Sequence, residues 1–324
     1  MKLSRTSQCL IATPISHLSQ VRSFVDFHHD CFLLNEYGNR NEIVEQICLN
    51  RDIKYLFVNP NAQGYYIDCD FLNATEIKGI NTCSTGTNHI DLDACKKNDV
   101  QIYSLTTDFE LIDSLPSTAE LSFGMMVSLC RKVILSNQQV VDSGLWDYTA
   151  VMGRQISGMT IGILGYGRLG RLFARMLEGF NVKILICEND LAKSIPSKYT
   201  KVDIEELFAE ADALAIHIHS TPENKNLVET NLLRKMKKGA FLINTSRGDL
   251  VDELAICKQL EEGSLGGYAT DVLSSEFTDI HKSPIFNLAR RKMYNIIITP
   301  HVGGMTFEGQ TKAFLFALNK FRFS

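Results

Sequence analysis

Short runs of apolar residues alternate with longer amphipathic stretches from near the start of the chain, the pattern of strand–helix units repeated around parallel sheets. In the first third, residues 55–58 read as a buried strand, and Ile43, Val44 and Ile47 put an apolar stripe on the helix before it. Further strands are predicted at residues 79–82 and 100–103. The pattern then changes. Residues 118–133 read as a long helix, apolar nearly all round through Met125, Met126, Val127, Leu129 and Val133, with Ser117 or Thr118 as its cap and Glu120 in its first turn. A helix this apolar is either core or partly covered by a second subunit. A domain boundary is expected just before it, and the fold class is α/β.

At 324 residues the chain is long enough for two domains. With 45% hydrophobic and 22% charged residues, 21 Gly and 7 Pro, its composition is that of an ordinary folded protein, which sets aside disordered, collagen-like and repeat classes. The formal net charge of -4 offers no basic excess for a phosphate backbone, so nucleic acid is not an expected partner, and a small anion needs a local positive site. Nine cysteines with no C-x-x-C pair fit neither a disulfide framework nor a zinc ribbon and point to reduced thiols. Lys2 and Arg5 precede only the apolar run 9–12, too short for a secretory leader, and no stretch approaches a membrane span. A cytoplasmic protein with no membrane partner is expected.

The chemistry begins at Met159-Thr-Ile-Gly-Ile-Leu-Gly165-Tyr-Gly167-Arg-Leu-Gly170, an apolar strand running into G-x-G-x-x-G and then a helix over 171–179. That glycine pattern is a weak signal alone, but here strand, turn, helix and the next strand at 182–186 follow in the order a dinucleotide requires. Gly165 permits a tight turn, Gly167 lets backbone approach a pyrophosphate, and Gly170 allows close helix–sheet contact. The helix N-terminus offers N–H groups and a positive dipole end, to which Arg168 adds a charge. Glu188, at the end of the next strand, is placed to accept from an adenosine ribose and to repel a 2′-phosphate, favouring NAD over NADP.

Four further stretches complete the pattern: Asp212-Ala-Leu-Ala-Ile-His217-Ile-His-Ser-Thr-Pro222, Phe241-Leu-Ile-Asn-Thr-Ser-Arg247-Gly-Asp-Leu-Val-Asp252, Gly266-Gly-Tyr-Ala-Thr-Asp271-Val-Leu-Ser-Ser-Glu276, and Thr299-Pro-His301-Val-Gly-Gly304. In order and spacing, the second half of the chain resembles the D-isomer-specific 2-hydroxyacid dehydrogenase family, phosphoglycerate dehydrogenase-like in form. The run Cys83-Ser-Thr-Gly-Thr-Asn-His-Ile-Asp91 resembles that family's substrate loop, and Ser117-Thr-Ala-Glu120 its domain-crossing helix.

The resemblance implies two Rossmann-like or flavodoxin-like domains with parallel sheets: a discontinuous substrate domain of residues 1–113 and 300–324, and an NAD-binding domain of residues 114–299. It implies catalysis by Arg247, Glu276 and His301. Each residue type suits its role, since imidazole titrates near neutral pH, a carboxylate on its other nitrogen fixes the tautomer, and a guanidinium fork grips a substrate carboxylate and C2 oxygen. It also assigns NAD contacts to Thr85, Gly165, Gly167, Arg168, Leu169, Gly170, Glu188, His217, Thr245, Ser246, Gly303 and Gly304, and places Asp271 against the nicotinamide carboxamide. Ser84, Thr85 and Gly86 are implied to bind the substrate carboxylate opposite Arg247.

Some positions depart from the family pattern: His219 stands where proline is common, Cys187 where an aromatic is frequent, and Phe277 where proline usually follows the acid. No metal is expected at His217 and His219. The chain ends about twenty residues after Gly304, which implies no C-terminal regulatory domain. Hydride transfer to or from C2 of a small anionic 2-hydroxy or 2-keto acid, 3-phosphoglycerate- or hydroxypyruvate-like, in a homodimer, is the expected function. The alternative is an NAD(H)-sensing protein that resembles the family's corepressors. The residues that choose the C3 substituent are expected in loops 59–64 and 106–113.

Overall fold

The computed structural model describes residues 7–36, 38–59, 66–87, 89–276 and 278–323, with 321–323 described as backbone. The chain folds into two compact units, Met1–Leu115 with Met305–Ser324, and Pro116–Gly304. The first holds a parallel sheet of five strands: β1 Gln8–Ile11, β2 Phe32–Leu34, β3 Ile53–Val58, β4 Gly79–Thr82 and β5 Gln101–Tyr103, in the order β2-β1-β3-β4-β5. This is the flavodoxin-like order. Alternation along the strands divides its core in two. Cys9, Ile11, Tyr55 and Phe57 pack with the helices Ser19–Phe27 and Phe307–Phe323 on one face, while Leu10, Leu56, Val58 and Ile80 pack on the other with Arg40–Leu49 and Cys69–Thr75. The last helix is fastened to β4, where the buried Asn81 donates from Nδ2 to the Ala317 carbonyl at 3.0 Å.

The second unit holds seven parallel strands: β6 Thr160–Leu164, β7 Lys183–Cys187, β8 Thr200–Lys201, β9 Ala213–Ile216, β10 Ala240–Asn244, β11 Leu265–Thr270 and β12 Ile296–Ile298. Their order is β12-β11-β10-β9-β6-β7-β8, the doubly wound Rossmann arrangement with one more strand. Helices cover both faces, so the central strands β9 and β10 are wholly buried and read as continuous apolar runs. Ile161, Ile163, Ala213, Ala215, Phe241 and Ile243 face the helices Ser117–Cys130 and Arg168–Leu177. Leu164, Leu214, Ile216 and Leu242 face Ile204–Glu210 and Glu253–Glu261.

Three sequence expectations change in this unit. Neither Ser117 nor Thr118 caps the long helix: Pro116 occupies the cap and Ser117 is the first, buried, helical residue. Proline at that position needs no N–H and starts the helix by its fixed φ. The helix ends at Cys130 and does not run to Val133, because Lys132 turns left-handed at φ 49° and a second helix, Val133–Ser143, begins. None of the second helix's residues is buried. Residues 300–304, read from sequence with the substrate domain, fold with the second unit. Among the described residues no helix is long and apolar enough to cross a membrane.

Candidate active site

In a parallel sheet every strand ends on the same edge, and the unit's candidate residues all follow such ends: the glycine turn after β6, Glu188 after β7, His217 after β9, Thr245 to Arg247 after β10, Asp271 and Glu276 after β11, and His301 to Gly304 after β12. The chain reverses its direction of travel across the sheet between β6 and β9, which is where such sheets open a crevice for ligand.

The three glycines of the turn have three different reasons. Gly165 has φ 96°, and a Cβ there would stand 2.6 Å from the His217 carbonyl oxygen. At Gly170 a Cβ would stand 2.1 Å from the Gly165 oxygen, so the turn cannot close on any larger residue. Gly167 has an ordinary φ of -73° and nothing within 4 Å of its Cβ position, so protein packing gives no reason for a glycine there. A group approaching from outside does. Gly167 caps the helix Arg168–Leu177 without any side-chain bond, so no cap side chain competes with an anion at the helix's positive end. Leu169 packs its side chain on the core, so any cofactor contact it makes is through its backbone.

His217 and Thr245 sit beside this crevice at the ends of neighbouring strands. Both His217 ring nitrogens and the Thr245 hydroxyl are buried without a hydrogen-bond partner, a rare condition that an incoming polar ligand relieves. The His217 ring lies 5.1 Å from that of Phe173, and burial holds its pKa down at about 4. Ser246 donates its hydroxyl to the Ile216 carbonyl at 2.8 Å and joins β10 to β9. A dinucleotide therefore fits this edge: the helix N-terminus for its phosphates, and His217 and Thr245 as unsatisfied polar groups.

Glu188 is more engaged than its sequence position suggests. Its Oε2 accepts from Tyr166 N at 2.8 Å and from Lys193 Nζ at 2.8 Å, and its Oε1 accepts from Asp190 N at 2.9 Å. Burial works to raise its pKa, but Lys193 and the two N–H groups outweigh that and lower it. The carboxylate is ionised and closes the turn after β6. Sequence reasoning missed Lys193; a cation five residues beyond the acid is the signal that was there.

The structure brings Glu276 and His301 together, with His301 Nδ1 3.1 Å from Glu276 Oε1. Because a carboxylate only accepts, the proton of that bond belongs to Nδ1. Glu276 Oε2 also accepts from Leu273 N at 3.3 Å. His301 lies at φ 54°, in the left-handed region. Asp271 holds it there. It is 2% exposed, its Oδ1 accepts from Val302 N at 2.9 Å and from the Thr299 hydroxyl, and its Oδ2 accepts from Gly303 N at 2.8 Å. Burial raises the Asp271 pKa against the pull of these donors. The residue read from sequence as a nicotinamide contact thus has both oxygens on the His301 loop, a role that only tertiary structure displays.

Arg247 stands at the end of β10, with β11 between it and the His301 strand. Its Nη1 donates to the Ser246 carbonyl at 2.7 Å, and its own carbonyl accepts from Asn244 Nδ2 at 2.9 Å. In the first unit, Ser84, Thr85 and Gly86 form the turn after β4; the Ser84 hydroxyl donates to the Gly86 carbonyl at 2.8 Å, and Thr85 O accepts from Thr106 Oγ1 at 3.4 Å. Of the loop at 59–64 only residue 59 is described, and Phe277 also lies outside the described residues.

A sheet edge with a glycine cradle at its switch point and a tethered imidazole on a strand end beyond it defines a nicotinamide-dinucleotide dehydrogenase. The model of the "D-isomer specific 2-hydroxyacid dehydrogenase, NAD binding domain" matches residues 123–303. Over 249 residues the chain is 32% identical to a glyoxylate reductase of Thermococcus litoralis, covering 74% of this chain and 71% of that one. It is 34% identical over 231 residues to a D-3-phosphoglycerate dehydrogenase of Haemophilus influenzae, 69% of this chain and 53% of the other. The solved NAD-dependent formate dehydrogenase of Staphylococcus aureus, in complex with NAD, shares the fold at TM-score 0.80 and 24% identity over 98% of this chain and 95% of its own. The chain belongs to the D-isomer specific 2-hydroxyacid dehydrogenase family, and its second unit is an NAD-binding domain.

The glycine geometry separates two substitutions. Gly167→Ala is expected to leave urea stability within about 1 kcal/mol of the parent and to weaken NADH by roughly tenfold in a fluorescence titration. Gly170→Ala is expected to lose about 1–3 kcal/mol or more of stability. A Gly167→Ala protein that binds NADH normally removes the phosphate from this turn.

Burial also holds the pKa of His89 down at about 4, and its ring nitrogens, like those of His217, have no partner. Between the ordinary 6.5 and about 4, the unfolded chain takes up a proton at each imidazole that the folded chain refuses. Stability is therefore full above about pH 6.5 and falls as pH falls through that window, by roughly 1–2 kcal/mol per imidazole at pH 5. Urea unfolding from pH 7 to 5 is expected to show this slope, and His217→Asn to make it shallower by one proton. An unaltered slope in that variant places the proton uptake elsewhere.

Proposed function

We propose that the chain interconverts a small 2-keto acid and the corresponding D-2-hydroxy acid, with His301 exchanging the proton of the C2 oxygen, Glu276 orienting it and Arg247 gripping the substrate carboxylate. The observation that carries this is the His301 Nδ1 to Glu276 Oε1 contact of 3.1 Å on the same sheet edge as the glycine turn. A nicotinamide cofactor held at that turn would supply the hydride as NADH or accept it as NAD. With the Nδ1 proton fixed on Glu276, Nε2 is the nitrogen that gives a proton to the C2 oxygen in reduction and takes it in oxidation. Glu276 holds the ring in that orientation while the proton moves. Within the chain the Arg247 guanidinium donates to the Ser246 carbonyl through Nη1, and its planar fork suits a carboxylate and the charge that develops on the C2 oxygen. In the same reading the helix end at Gly165 to Gly170 with Arg168 holds the pyrophosphate, Glu188 the ribose, and Gly303 and Gly304 the approach to the ring.

The names of the relatives, glyoxylate reductase and D-3-phosphoglycerate dehydrogenase, support a two- or three-carbon acid. We take glyoxylate and hydroxypyruvate as the leading substrates. In the same reading the turn Ser84 to Gly86 of the first unit is an anion-binding turn. None of the nine cysteines forms a disulfide, which supports a reducing cytoplasm. A homodimer is supported by Val133–Ser143 and the segment after it, where Val141 is 71%, Trp146 89% and Tyr148 77% exposed. Clustered apolar surface of this kind marks a protein interface.

His301→Asn is expected to lower turnover by roughly 10²- to 10⁴-fold in NADH oxidation with glyoxylate, hydroxypyruvate, pyruvate, 2-ketoglutarate and phosphohydroxypyruvate, with NADH affinity nearly kept. Near-normal turnover gives the proton to another group, and parent protein that binds NADH but turns over none of the five acids is a sensor. Light scattering is expected to give twice the chain mass for the parent and a monomer for Trp146→Lys. A parent that elutes as a monomer at micromolar concentration ends the dimer reading.

A further inference from the structure

One buried carboxylate has no part in the chemistry proposed so far. Glu253 opens the helix Glu253–Glu261 directly after Asp252, whose side chain already caps that helix through Leu254 N and Ala255 N. The helix thus has its acceptor, yet Glu253 is only 6% exposed. A buried carboxylate is costly unless donors converge on it. Three do. Oε1 accepts from Ser274 N at 3.0 Å and Ser274 Oγ at 2.9 Å, and Oε2 accepts from Ser283 Oγ at 2.5 Å. Ser283 is fully buried, and its hydroxyl in turn accepts from Phe286 N at 3.1 Å to cap the helix Pro284–Ala289.

Ser274 and Ser283 bracket the segment that carries Glu276. We infer that Glu253 is a positioning residue for the reaction: it fixes both ends of the Glu276 segment and so sets the carboxylate that orients His301. The link is short. Leu273 N, which donates to Glu276 Oε2, belongs to the residue immediately before Ser274, whose own N–H is held by Glu253. Gly248 meets the same point from the Arg247 side, for a Cβ there would stand 2.1 Å from the Leu273 carbonyl carbon and 2.3 Å from Ser274 N. Glu253 and Gly248 together join the segment bearing Arg247 to the one bearing Glu276. The inference rests on the pairing of Glu276 with His301 proposed above.

The test compares Glu253→Ala, Glu253→Gln, Glu276→Gln and the double variant Glu253→Ala/Glu276→Gln in the full chain, by steady-state turnover with NADH and the best 2-keto acid of the panel. Glu253→Ala is expected to lower kcat about tenfold with NADH affinity within about twofold of the parent, since it removes the acceptor that holds the Ser274 N–H beside Leu273. The double variant should be no slower than Glu276→Gln within about twofold, because the two act through one group. Glu253→Gln keeps an acceptor for Ser274 and should lose less; if Glu253→Ala fails to fold, Glu253→Gln takes its place in the same comparison. Losses that multiply in the double variant, or unimpaired kcat in both Glu253 variants while Glu276→Gln is slow, overturn the positioning role. Full activity of Glu276→Gln overturns the pairing itself, and the inference with it.

Discussion

The carboxylate of Asp271 is the interaction on which the site edge depends. Three donors from the segment after β12 converge on it, the N–H groups of Val302 and Gly303 and the hydroxyl of Thr299, while the Asp271 carbonyl accepts from His301 N at 2.9 Å. A non-glycine residue in the left-handed region costs about 1–2 kcal/mol, so His301 stays at φ 54° only because its neighbours fix it from both sides. The donors in turn make a desolvated negative charge tolerable. Neither half is stable without the other: a neutral, non-accepting side chain would leave two buried N–H groups without a partner, and a relaxed loop would leave the charge bare. This also explains why residues 300–304 fold with the second unit and not with the helix that follows them.

The sheet's topology then decides which side chains can meet. Because the strand order is β12-β11-β10-β9-β6, the three groups proposed for the chemistry come from three adjacent strand ends, and the glycine turn from the far side of β9. Arg247 and His301, far apart in sequence, reach one edge only because each crossover returns the chain to the same end of the sheet. In the proposed function, binding and chemistry occupy different strands of a single scaffold. The nucleotide end can be read from a local motif, whereas the proton-transfer end cannot.

That difference accounts for what was legible in the sequence. The strand at Gly79–Thr82 and the strand and glycine turn of β6 stand where apolar runs and glycines put them, because strand burial and left-handed turns are short-range requirements, while the helix that follows begins at Arg168, three residues before the predicted start. The long helix was misjudged at both ends by a local rule that lost. Ser and Thr are good caps, but the cap falls on Pro116, one residue earlier, and an apolar run says nothing about the left-handed break at Lys132. Two-residue β8 and three-residue β12 are too short to show a period. His301 and Glu276 were legible as types in a family order. The duties of Asp271, Glu253 and Lys193 were not, because each is defined by the partner it meets only in the folded chain.

Past the end of a strand the backbone ladder stops, and N–H groups that fed it need other acceptors. On this edge carboxylates supply them across neighbouring strand ends. Glu188 after β7 takes Tyr166 N after β6; Glu253 after β10 takes Ser274 N after β11; Asp271 after β11 takes Val302 and Gly303 N after β12; and Asp249 after β10 takes the Ser220 hydroxyl after β9 at 2.8 Å. A carboxylate suits this work since each oxygen accepts more than one donor. Between β6 and β9 the join is of another kind. There the ladder runs one bond further, His217 N to Leu164 O at 2.7 Å, and backbone meets backbone through Gly165 with no room for a side chain. That junction is the switch point, where an anionic dinucleotide has to enter, and a carboxylate standing there would repel the phosphates that the helix end attracts. The acidic acceptors therefore join the strand ends on either side of the β6–β9 junction and leave that junction itself to backbone and glycine, so that in the proposed function an edge held together by negative charge still admits a negative ligand.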